Sequence, residues 1–83
     1  MRIIDQPIQI ETNSPDHDGC LVFADDKLVA VLVRLEGDYG EDKGKWLLEA
    51  GFGRVASPIP PTFSSMEEAR IWISDRLRAW SGS

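Results

Sequence analysis

Residues 27–36 read KLVAVLVRLE, with seven aliphatic side chains in the eight positions from Leu28 to Leu35. Valine and leucine in such density, without glycine or proline, specify a β-strand. On a flat strand, Val29, Val31, Val33 and Leu35 point one way, and Leu28, Ala30 and Leu32 the other. An antiparallel strand with one wet face alternates apolar and polar residues, so an apolar run implies that both faces are covered. The segment CLVFA, residues 20–24, has the same two-sided character, with Leu21 and Phe23 opposite Cys20, Val22 and Ala24. Whatever this chain folds into must therefore cover a sheet from two sides.

The rest of the chain offers little to do so. An 83-residue chain is one domain. At this size folding buries only about 60–65% of the surface of the unfolded chain, and small domains lean on added staples. Cys20 is the sole cysteine, so no disulfide forms within the chain. It is expected as a reduced, partly buried thiol in a cytoplasmic protein. No targeting segment and no apolar run of membrane-spanning length appears.

One helix is specified, from about Ser65 to Trp80. Ser64-Ser65-Met66-Glu67-Glu68 contains S-x-x-E in two registers, either of which makes a capping box, and Gly82 supplies a stop. Met66, Ala69, Ile73, Leu77 and Trp80 share a face, with Trp72 at its margin and Ile71 nearly opposite. Upstream, residues 3–11 alternate weakly around Pro7 and suit an edge strand. Residues 12–19 (TNSPDHDG) form a loop, Asp25-Asp26 a tight reversal, residues 37–44 a polar loop, and 45–51 a further strand. The expected fold is α+β: an antiparallel meander of three or four strands, with one C-terminal helix on one face. Its parts are an N-terminal segment and loop (1–19), the meander (20–51), a Gly/Pro connector (52–63) and the helix (64–80).

Four motifs invite a chemical reading. GFGRVA, residues 51–56, has the outline of a dinucleotide-binding turn, but Pro58, Pro60 and Pro61 follow where a helix is required. It reads as a strand end, and no cofactor is expected. GEDKGK, residues 40–45, fails as a phosphate loop, with too short a glycine spacing and two carboxylates where phosphate would lie. Asp16, Asp18 and Asp25 fall at positions three, five and twelve of a calcium-type loop whose first position is Ser14, which makes them weak metal candidates. His17, the only histidine, is the obvious general base, yet no local nucleophile pattern accompanies it. Pro58-Ile59-Pro60-Pro61 suits polyproline II, a form grasped by aromatic grooves, but reads first as a stiff connector from sheet edge to helix. No catalytic residue is assigned.

The net charge of −5 is concentrated in residues 1–26, and only Arg70, Arg76 and Arg78 form a local basic group. That balance disfavours nucleic acid as a partner. The expectation is a non-enzymatic interaction module, most simply a homodimer that completes its core, with another protein as the alternative partner. Val29, Val31, Val33 and Leu35 are the expected second-face contacts. Phe52, Arg54, Ile71 and Trp72 are the expected outward-facing partner contacts. Two other classes remain: a nucleic-acid-linked regulator by analogy of shape, and a small ligand- or metal-binding protein.

Overall fold

The computed structural model describes residues 1–13, 16–37 and 40–81, with the side chains of residues 80 and 81 left aside. Ser14, Gly82 and the Trp80 side chain, named above, therefore lie outside the described parts. Among the described residues, five strands form one antiparallel sheet in sequence order: β1 (Ile3–Gln9), β2 (Asp18–Ala24), β3 (Lys27–Arg34), β4 (Trp46–Gly51) and β5 (Thr62–Phe63). A single α-helix, α1 (Met66–Ser81), follows them. The α+β meander is as expected, with one strand more than the three or four anticipated. The extra strand lies inside the presumed connector, where Thr62 and Phe63 pair with Leu47 and Trp46.

The β2–β3 hairpin turns on Asp25 and Asp26 alone. Their φ values of 50° and 68° are the two positive angles that a type I′ turn requires, and aspartate tolerates them. β1 occupies the edge despite its proline. Asp25 donates its N–H to Arg2 O and Ile10 its N–H to His17 O, so even-numbered residues turn their polar groups toward β2. The backbone groups of Ile3, Asp5, Pro7 and Gln9 then point along the free edge, where Pro7 has no N–H to lose.

Two bulges reset the alternation. Phe23 pairs with Leu28 while Val22 pairs with Ala30, which leaves Val29 as an extra residue. Leu32 pairs with Leu48 while Val31 pairs with Ala50, which leaves Glu49 extra. The first bulge corrects the expected faces. Val29 does not join Val31, Val33 and Leu35 but falls in the core beneath α1, while Leu28 turns to the opposite face and is 38% exposed.

The core lies between the sheet and α1. Ala69, Ile73 and Leu77 pack on Val22, Ala24, Ala30, Leu32, Leu48 and Phe63, with Met66 and Trp72 at the margin. Leu32, Ile73, Val22 and Val55 are fully buried, each worth about 1.5–3 kcal/mol of transfer free energy. The helix start uses the second serine register: Glu68 donates its N–H to Ser65 Oγ at 3.2 Å, and Ser64 donates its N–H to Glu68 Oε2 at 3.1 Å. A 3.0 Å ion pair from Arg70 to Asp5 ties α1 to the edge strand.

The segment GFGRVA ends a strand, as its prolines implied. After β4 the chain makes a 3₁₀ turn at Gly53–Val55 and drives Val55 into the core. A β-carbon at Gly51 would overlap the Val55 carbonyl oxygen, whereas Gly53 has open space but a φ of +58°. The two glycines thus serve different needs. Gly51→Ala should destabilise the domain by roughly 2–4 kcal/mol because backbone must move, against about 1–2 kcal/mol for Gly53→Ala. Urea unfolding of both variants checks the order.

Candidate interaction surface

The two faces of the sheet differ sharply. By the strand register, the face turned away from α1 carries three cross-strand rows. Ile4, Phe23 and Leu28 form the first; Gln6, Leu21, Val31 and Ala50 the second; Ile8, Gly19, Val33, Leu47 and Thr62 the third. β1 widens this face and does not fold across it. Among the described residues, only those just after β1 and Asp16 return over it. Ile10 fills the space above Gly19, where any β-carbon would overlap its side chain. Ile10, Thr12 and Asp16 line a groove with Val33, Leu35 and Leu47, and Val33 and Leu35 are buried.

Asp16 fastens that cover. Its carboxylate Oδ1 accepts the N–H groups of Glu36 at 2.7 Å and Gly37 at 2.9 Å, and Thr12 Oγ1 donates to its carbonyl oxygen at 2.9 Å. A buried carboxylate that accepts backbone donors is a structural clasp, since it satisfies groups that would otherwise be desolvated. The calcium-type spacing is not realised in space. β2 is extended from Asp18 to Ala24, which sets Asp25 roughly 20 Å from Asp18 at about 3.3 Å per residue. Asp18 accepts from Gln9 Nε2 at 2.6 Å, and Asp25 from the Arg2 N–H at 2.9 Å. Among the described residues, no three His, Cys, Asp or Glu side chains converge. His17 is exposed on the loop.

The outward candidates separate into two pairs. Arg54 and Trp72 are engaged internally. Arg54 donates to the Leu77 carbonyl at 2.8 Å, and Trp72 lies 5.5 Å from the Phe63 ring with the Arg76 guanidinium 5.0 Å above it. Arg76 also donates to the carbonyls of Arg54 and Ala56, strapping the 53–56 turn to α1. Phe52 and Ile71 are exposed, at 46% and 57%. Ile71 stands on the solvent side of α1, whereas Phe52 lines a groove of about 360 Å³ with Met1 and Leu28. The structure therefore does not unite the four into one patch.

What sequence reasoning missed is the first row. Leu28 belongs to it only because of the Val29 bulge, and with Ile4, Phe23 and Phe52 it forms an apolar band at the β2–β3 turn end. A tight reversal at Asp25-Asp26 was visible, but the bulge beside it has no composition signal. The arginines offer no basic stripe: Arg34, Arg70 and Arg78 pair with Glu36, Asp5 and Asp75.

Cys20 is the cross-strand neighbour of Pro7 in β1 and is buried. Burial raises its thiol pKa above the ordinary 9.0, the Asp5 charge adds to this, and a Gln6 backbone hydrogen bond and Arg70 pull the other way. Stability from the protonated thiol is present below the unfolded pKa and declines as pH rises through the folded one.

No family model, curated protein or solved structure matches this chain. Among the described residues, no helix is long and apolar enough to cross a membrane.

Asp16→Ala strands two N–H groups and should cost about 2–4 kcal/mol. Chemical denaturation measures that loss. Hydrogen exchange should show faster exchange at Glu36 and Gly37 before the β-sheet opens.

Proposed function

We propose that the chain is a small non-enzymatic interaction module that works as a homodimer through the sheet face turned away from α1. The observation that carries this reading is the uncovered apolar surface on that face. Leu21, Phe23, Val31, Leu47 and Ala50 are only half-buried, and Ile4 and Leu28 are 37% and 38% exposed. Scattered surface leucines need no explanation, but a contiguous band across four strands does.

The sheet edges are poorer docking sites than the face. Pro7 interrupts the outward row of β1, and β5 is two residues long. A second copy fits the face in size. Four strands at about 4.8 Å spacing and about five open residues at about 3.3 Å, beyond the end that Ile10 and Asp16 cover, give a footprint of roughly 300 Å². Two such faces together bury on the order of 600 Å², the size of a weak, concentration-dependent contact. Sheets stacked in this way form an aligned sandwich about 10 Å thick. The covered end above Val33 and Leu35 then forms the rim, and the Phe23–Leu28 band the contact.

Sedimentation equilibrium over a wide concentration range tests the reading. The wild-type chain should pass from monomer to dimer as concentration rises. Val31→Glu, which sets a carboxylate at the centre of the face, should raise the dissociation constant at least tenfold with little change in far-UV circular dichroism. A single monomeric species at every concentration, with the Leu21 and Val31 methyl groups accessible to a paramagnetic cosolute, would overturn it.

A further inference from the structure

The two ends of the free face differ in charge, and we infer from this the orientation of the second copy: it docks with its strands antiparallel to those of the first, so that Arg2 of each protomer faces Glu11 of its partner. The inference rests on the homodimer reading above and adds the geometry of the contact.

Among the described residues, the end built from 10–13, 16–18, 34–37 and 40–45 holds six acidic residues against three basic ones. The opposite end, around the β2–β3 turn, balances Arg2 and Lys27 against Asp25 and Asp26. A face-to-face pair has two simple choices of two-fold axis. An axis along the strands lays acidic end on acidic end and β1 over the far side of the partner sheet. An axis across the strands lays each acidic end on the balanced end and stacks β1 on the partner's β1. Stacked sheets lie about 10 Å apart, close to the screening length at moderate salt, so the repulsion in the first arrangement is only partly screened. Electrostatics of this kind chooses register more than affinity.

Arg2 and Glu11 are the natural contacts of the second arrangement, because they sit at opposite ends of β1 and its extension. Ile3 packs toward the core beneath α1 and Asp5 bonds Arg70 on that side, so the alternation directs Arg2 to the free face. Glu11 lines the groove over Val33 and Leu35 on the same face. Both residues are exposed. The two-fold repeats the contact, so each substitution acts twice per dimer.

Charge reversal separates the arrangements by sedimentation equilibrium at low salt. With strands antiparallel, Arg2→Glu and Glu11→Arg should each raise the dissociation constant roughly fivefold or more, counting two surface pairs per dimer. The double variant R2E/E11R should return it to within about twofold of wild type. With acidic ends stacked, Glu11→Arg instead relieves repulsion and tightens the dimer. A tighter or unchanged dimer for Glu11→Arg overturns the antiparallel orientation and leaves the homodimer standing. Absence of any wild-type dimer overturns both.

Discussion

The packing of Ala69 and Ile73 against Val22, Ala30 and Leu32 holds this domain together. Ala69 and Ile73 have no exposed surface, so the helix side chains and the sheet close on each other without a gap for water. Other features depend on that contact. The 53–56 turn is held because Arg54 reaches the Leu77 carbonyl of α1 and Arg76, on α1, reaches back to the carbonyls of Arg54 and Ala56, and Val55 is buried because the turn is held. Trp72 and Phe63 close the end where β5 and α1 meet. A single helix has one apolar stripe, however, and this sheet has two apolar faces. The domain resolves half of that conflict through α1 and part of the remainder through Ile10, Thr12 and Asp16.

The same residues explain how much was readable beforehand. The β3 run, the helix cap and the apolar stripe of α1 were legible because each is a local pattern with one physical meaning. The uncovered face was legible too, since it follows from counting apolar faces against covering elements. What escaped was set by tertiary contact. The bulge at Val29 exchanges two valine-like neighbours, Leu28 and Val29, whose composition is indifferent to face. β5 is too short to show periodicity and sits beside three prolines. Asp16 looked like part of an acidic loop, and only the return of that loop to the end of β3 reveals a carboxylate that serves two backbone donors. Residue type alone suggests Arg54 and Trp72 as outward contacts; it does not show that Arg54, though exposed, also meets a helix carbonyl and that Trp72 meets a phenyl ring.

Charge is distributed to match this division of labour. The arginines of α1 and of the 53–56 turn are spent on carbonyls and carboxylates on the helix side, where they fix connections that apolar packing leaves loose. The carboxylates gather at the end of the sheet where Asp16 meets Glu36 and Gly37. An apolar surface bounded by like charges at one end has a preferred sense of approach, whereas a uniformly apolar one would accept a partner in any rotation.

The consecutive order of the five strands has a consequence in time. Each strand pairs with the one before it, so nearly all pairing is between chain neighbours, and loop closure costs little entropy at any step. The sheet is thus able to assemble hairpin by hairpin before α1, which is last in sequence among these elements, reaches its seat. During that interval both faces of the growing sheet are apolar and bare. The outward proline of β1 then matters most, because it denies a neighbouring unfinished sheet a continuous edge to extend.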